Sequence, residues 1–323
     1  MNAILKNSTM KKNQYLCMVV LLALTACSVH DDIQRDSALE PLLKLTATQS
    51  YSADGLLEQT RTTDGTLYTS STGFDGGEQI RVYFNNANEV YEVGAADPDN
   101  NYRSVVSQGT LRYPFSNVGT TPLYAVYPVA SVDAGYHTVA YDQTVVSAYK
   151  ASDLMFARMD VDLTDKTVTQ NLNFAHQMVR LKIVLTKGEE LGNITKLELK
   201  NVKRKVAITP SAAALTQSTL STVADGNGDN LLAFSGTVDD TDPHIFYVIF
   251  PAQAWTTTPF LEITADGKSI IYTLNKNDWV IGNEYTLALS VDKLPESVML
   301  DATVTLTDWV DADIESASRV VQE

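Results

Sequence analysis

The sequence predicts an all-β protein built from two tandem β-sandwich domains, and three observations carry that expectation. Apolar and polar residues alternate through many short segments, turn-forming residues punctuate those segments, and the strands are too many for one seven-stranded sandwich. Ile80, Val82 and Phe84 alternate with Arg81 and Tyr83, and Val179, Leu181, Ile183 and Leu185 alternate with Arg180, Lys182 and Thr186. Leu197 and Leu199, then Tyr285, Leu287, Leu289 and Val291, repeat the pattern, and Val304, Leu306 and Trp309 follow it more loosely. A period of two with β-branched and aromatic residues describes half-buried strands. The apolar run 245–250 reads as a strand covered on both faces, although length alone leaves a buried helix open. Gly76-Gly77, residues 97–101, Gly226-Asn227-Gly228, Asp266-Gly267 and Gly282-Asn283 supply turns, and Asp266-Gly267 has the chemistry of a two-residue hairpin. Residues 143–150 carry a helical signal of a couple of turns. The least apolar break, 160–166, divides the expected domains into 42–163 and 164–323.

Ahead of these lies a different kind of segment. Lys11 and Lys12 precede an apolar run at 15–24, and Leu24-Thr25-Ala26-Cys27 closes it with small residues before a cysteine. This is the pattern of a lipoprotein signal peptide over 1–26, with Cys27 taking thioether-linked diacylglycerol and an N-acyl chain. The run is too short to span a bilayer, which takes roughly 20 apolar residues. Residues 27–41 are polar and acidic, as suits a tether.

Charge and cysteine usage exclude several classes. Removing 1–26 leaves 297 residues with 21 basic and 39 acidic side chains, a balance that repels phosphate backbones and disfavours nucleic acid as a partner. Cys27 is then the one cysteine left, so neither a disulfide framework nor a free-thiol nucleophile is expected.

Catalytic and metal motifs are likewise not expected. His30, His137, His176 and His244 lack ligand spacing, and neither a nucleophile elbow nor a phosphate loop occurs. Residues 225–230 resemble half of a calcium loop, but the twelfth position is Gly236 where a glutamate is needed. Asp239, Asp240 and Asp242 read as a solvated acidic loop. No cofactor, metal or catalytic residue is therefore expected. Trp255, Trp279 and Trp309 offer aromatic faces for a sugar, with half-buried packing as the plainer reading. Asp36-Ser37-Ala38 matches a short O-glycosylation motif.

Several segments in order resemble the Mfa-like fimbrillins, the type V pilin subunits. Gln59-Thr60-Arg61 with Phe74-Asp75-Gly76-Gly77-Glu78-Gln79-Ile80-Arg81-Val82 looks like that family's opening, and Leu123-Tyr124-Ala125-Val126-Tyr127-Pro128 like its aromatic-proline strand end. Asp142-Gln143-Thr144, then Tyr149 through Ala157, are the most specific part. Leu172-Asn173-Phe174-Ala175-His176-Gln177-Met178, Gly282-Asn283-Glu284-Tyr285 and Asp308-Trp309 are also similar to family segments. The resemblance implies two transthyretin-like Greek-key sandwiches, exported as a lipoprotein to the outer membrane and cell surface and serving adhesion in a fimbria. It further implies that an arginine-specific protease removes the first strand and that a neighbouring subunit donates a replacement. On this sequence Leu43, Leu45 and Ala47 mark the removable strand, Arg61 the cleavage site, with Arg35 second, and Val304, Leu306 and Trp309 the donor strand. The implied partners are other fimbrial subunits, the membrane through lipid, and a host or bacterial surface ligand. The alternative is a surface lipoprotein that binds glycan or anchors the fimbria and does not polymerise.

Overall fold

The protein is described by a computed structural model, which covers residues 40–49, 59–61, 67–69, 74–220, 230–292, 298–299 and 305–308. The regular elements of the described residues are almost all strands. In the first half these are β1 (Leu45–Gln49), β2 (Gln59–Arg61), β3 (Leu67–Thr69), β4 (Glu78–Phe84), β5 (Ala87–Asp97), β6 (Arg103–Val106), β7 (Thr120–Tyr127), β8 (Tyr136–Thr138), β9 (Met155–Asp162) and β10 (Gln170–His176). The second half holds β11 (Val179–Lys187), β12 (Ile194–Leu199), β13 (Lys205–Pro210), β14 (Leu215–Leu220), β15 (Leu231–Val238), β16 (His244–Phe250), β17 (Trp255–Ala265), β18 (Lys268–Lys276), β19 (Asn283–Val291), β20 (Val298–Met299) and β21 (Thr305–Asp308). Two six-residue helices, α1 (Val129–Ala134) and α2 (Val146–Ala151), interrupt them.

Turn chemistry explains the early strands. Gly76 and Gly77 take φ of 101° and 89°, open to glycine and strained for other residues. The Glu78 carboxylate accepts from the backbone N–H of Asp75 (3.0 Å) and Gly76 (2.8 Å), which turns the chain into β4 and drops Phe74 into the core. Asn85 and Asn86, at φ 50° and 61°, then form a tight hairpin to β5, a turn that asparagine tolerates through its local side-chain bonding. Asp266 and Gly267 do the same between β17 and β18, as their sequence indicates.

Seven strands of the first half join in the order β1-β10-β9-β7-β4-β5-β6, and β6 pairs back to β1. The result is a closed barrel where the sequence leads one to expect two open sheets. The closing strand is β1. Its side chains and those of β4, β7, β9 and β10 fill one core, including Ile80, Val82, Leu123, Val161, Leu172 and Phe174. β10 follows the division read at 163/164, yet its strand neighbours are β1 and β9 and its inward residues lie in this first core.

In the second half the sheets β16-β11-β19-β21 and β15-β12-β17-β18-β20 bury a separate core. Val179, Leu181, Ile183 and Leu185 point into it, as their alternation dictates. The run 245–250 is strand, and Phe246 to Phe250 are buried on both faces of β16. The inner face meets Phe234 of β15 at 4.8 Å, and the outer Tyr247 lies under the Arg180 guanidinium. Trp255 and Trp279 sit in an aromatic cluster with Phe250, Phe260 and Tyr285, at 1% and 7% exposure, so neither presents a face to a sugar.

Residues 136–145 belong to the first half by position and pack with the second. β8 adds to β13, Val139 lies in the second core, and Leu232 exchanges backbone bonds with Tyr141 and Gln143. Asp142 Oδ1 accepts from the N–H and hydroxyl of Thr144, a local turn that aims Gln143 inward. The helical signal at 143–150 appears as α2, starting at Val146. α1 had no legible period because six residues between Pro128 and Gly135 are too few to show one.

Tyr141 Oη donates to Glu198 on β12 (2.8 Å), whose carboxylate also takes Lys200 (2.8 Å) and Lys196 (3.2 Å). Burial disfavours the ionised carboxylate, but the donors from Lys200, Tyr141 and Lys196 outweigh it and hold its pKa below the usual value. The same contact helps burial push the Tyr141 phenol up to about 12. A carboxyl with a depressed folded pKa adds stability that is complete above its unfolded pKa of about 4.3 and is lost as pH falls through the folded value. Glu198→Gln is therefore expected to flatten part of the acid limb of a stability–pH curve below about pH 4.3. Urea titrations at several pH values check this, and an unchanged slope would show that the network is not coupled to folding.

Candidate functional site

The site is the slot that β1 occupies. Leu43, Leu45 and Ala47 face inward at 1%, 5% and 0% exposure and join the core that holds Phe74, Leu111, Leu172 and Phe174. Burying a leucine side chain contributes roughly 1.5–3 kcal/mol, so the two leucines alone anchor the strand strongly. Leu43 N–H donates to Leu111 C=O (2.8 Å), and Gln170 N–H donates to Lys44 C=O (2.9 Å), which ties the approach to β1 on both sides. The strand then runs parallel to β10, from Leu45 opposite Gln170 to Gln49 opposite Phe174. On its other side it runs antiparallel to β6, with Thr46 opposite Val105 and Ala47 opposite Ser104. Ala47 and Ser104 are both small and fully buried.

Because β1 bonds to two strands, taking it away opens two edges at once. The backbone donors and acceptors of β10 and β6 lose partners, and an apolar trough is uncovered between them. β10 and β6 run in opposite directions, so any replacement strand is parallel to one and antiparallel to the other. On the outer face Thr46 and Thr48 bond to Asn171 and Asn173 of β10. These four polar residues did not stand out in the sequence, although Thr-x-Thr and Asn-x-Asn at strand spacing are visible there.

The structure brings together only part of the predicted set. Leu43, Leu45 and Ala47 lie in the slot. Arg61 ends β2 opposite Leu67 of β3, so its backbone is strand rather than free loop, and β2 lies alongside β16. Leu306 is on β21, opposite Tyr285 on β19 at the margin of the four-stranded sheet. Cys27, Val304, Trp309, Arg35 and the 36–38 motif lie outside the described residues.

The three described histidines are held by ordinary partners. His137 bridges Ser131 Oγ (2.7 Å) and Ser152 C=O (2.9 Å), and burial lowers its pKa. His176 Nδ1 meets Asp153 Oδ2 (2.7 Å), and His244 Nε2 meets Asp240 Oδ1 (2.6 Å). Among the described residues, no three histidine, cysteine or acidic side chains converge as a metal site would require.

An all-β protein whose first strand closes the barrel of its first half is what fold and slot together define. The family model described as fimbrillin-like matches residues 60–309, well over half of the chain, and the protein belongs to the fimbrillin-like family. The match begins after β1. A solved structure of a candidate cell adhesion protein from Bacteroides uniformis is 18% identical, covers 83% of this chain and 98% of its own, and superposes with a TM-score of 0.54. Another from Bacteroides ovatus is 14% identical, covers 85% of this chain and 100% of its own, with a TM-score of 0.55. At such identities the likeness is one of fold. None of the curated proteins matches the chain significantly. Family membership supports a fimbrial subunit role at the cell surface.

Proposed function

We propose that this protein is a structural, non-enzymatic subunit of a surface fimbria that polymerises by strand exchange. In this reading Cys27 is lipidated, the lipid delivers the chain to the outer membrane, and the second half, with its two sheets, is a transthyretin-like sandwich. A cut after Arg61 releases the segment carrying Leu43, Leu45 and Ala47, and the strand around Val304, Leu306 and Trp309 of another copy fills the slot. The observation that carries the reading is that, among the described residues, β1 alone joins β10 to β6. A strand held only by non-covalent contacts is exchangeable once its covalent link is cut, and its replacement recovers the same kinds of interaction. Burial of Trp255 and Trp279 favours this over the glycan-binding alternative.

The test is limited digestion with a trypsin-like protease. Release of the N-terminal segment with SDS-resistant ladders of the remaining chain is expected, and an Arg61→Ala chain should stay whole and monomeric. A cut chain that loses β1 yet forms no higher species would sink the proposal.

A further inference from the structure

The slot holds its strand with more than apolar burial. Thr46 Oγ1 donates to Asn171 Oδ1 (3.0 Å), Asn171 Nδ2 donates to Thr48 Oγ1 (3.1 Å), and Thr48 Oγ1 donates to Asn173 Oδ1 (3.3 Å). Each group gives in one direction, so the four side chains form a continuous polar ladder up the outer face of the barrel. The register supports it, with Thr46 opposite Asn171 and Thr48 opposite Asn173. Leu45 and Ala47 meanwhile point to the core. A slip of one residue would turn threonines inward and apolar side chains out, losing both the ladder and the core contacts.

Any strand that takes the place of β1 meets the same two amides. Thr303-Val304-Thr305-Leu306-Thr307 repeats the alternation of Leu45-Thr46-Ala47-Thr48, with threonine at every second position and an apolar residue between. Among the described residues, β21 pairs in its home sheet with β19 alone and over four residues, so it leaves with fewer bonds broken than an interior strand. We infer that Asn171 and Asn173 are specificity-determining residues that accept an incoming strand by its alternate outward threonines, and that the occupant they fit is the 303–307 segment of a second copy of this chain. The inference rests on the strand-exchange reading above and adds to it a code for strand and register.

The experiment times the growth of SDS-resistant ladders after trypsin-like cutting of the full chain. It compares wild type with N171A/N173A, with T305V/T307V, and with all four substitutions together. Uncut variants are first shown to melt cooperatively, and T305S/T307S, which keeps the hydroxyls, serves as a second variant against simple misfolding. Each pair is expected to slow ladder growth about tenfold, the scale of losing a few exposed cross-strand bonds. The fourfold variant should be no slower than either pair, and T305S/T307S should match wild type. Wild-type ladders with an unimpaired N171A/N173A chain overturn the code and leave strand exchange standing. Effects that multiply in the fourfold variant also overturn it, because the two pairs then do not meet. A wild-type chain that is cut and stays monomeric removes strand exchange itself, and the code with it.

Discussion

Leu43→Ala combined with Leu45→Ala is expected to lower the stability of the first half by about 5 kcal/mol, read from urea unfolding. Each truncation of a buried leucine costs about 2–5 kcal/mol, and the two share one core, so the sum falls short of additive. Both side chains are almost fully buried, at 1% and 5% exposure, beside Phe74 and Phe174, whose rings meet edge to face at 5.5 Å. The barrel amplifies the effect. β1 is bonded to β10 over five residue pairs and to β6 over two, so a loosened β1 frees both neighbours together. Hydrogen exchange should show this as faster exchange of the β10 and β6 amides that face β1, with strands β4 and β7 protected. The uncut double variant should also bind an apolar dye and self-associate, as an opened sheet edge does. A variant within about 1 kcal/mol of its parent would mean that β1 does not close the barrel in solution.

The second large effect is expected at Gln143. Its side-chain amide lies against the backbone of Ile249, with Nε2 donating to the carbonyl (2.7 Å) and Oε1 accepting from the N–H (2.8 Å). Ile249 stands on β16, an outer strand of its sheet, so the amide acts as a one-residue substitute for a neighbouring strand. Gln143 and Ile249 are both buried, at 5% and 1% exposure. Gln143→Ala leaves two backbone groups without that partner, at about 1–3 kcal/mol each, a total of about 2–6 kcal/mol. In a unit of this size that lowers the melting temperature by about 4–24 °C, since each kcal/mol is worth roughly 2–4 °C. Gln143→Glu should also destabilise, because a carboxylate keeps the bond to the N–H and sets a negative oxygen against the carbonyl. Differential scanning calorimetry of the two variants checks this. If Gln143→Ala melts with wild type, the edge of β16 is satisfied some other way.

The split between what was legible and what was not follows the range of the interactions. Alternation at 80–84, 179–185 and 285–291 identified strands and their inward faces because strand periodicity is local. Asp266-Gly267 identified a hairpin for the same reason, and Asn85-Asn86 carried a similar signal that composition alone passes over. The first strand was also legible, since Leu43, Leu45 and Ala47 alternate with polar residues. The role of Gln143 was not, because its partner Ile249 is 106 residues away. The packing of 136–145 against the second half was hidden likewise, since position in the chain places it in the first.

By itself, then, the sequence determined that the protein is β-rich, which residues face its cores, and that it resembles the fimbrillins. Those properties depend on a residue and its near neighbours. Only the tertiary structure decided that seven strands close into a barrel, that β1 is the strand that closes it, and that Thr46 and Thr48 meet Asn171 and Asn173. Strand pairing joins segments 125 residues apart through backbone groups that every residue carries. Beyond tight hairpins, no local pattern says which strand will lie beside which, and the slot exists only where that distant pairing is made.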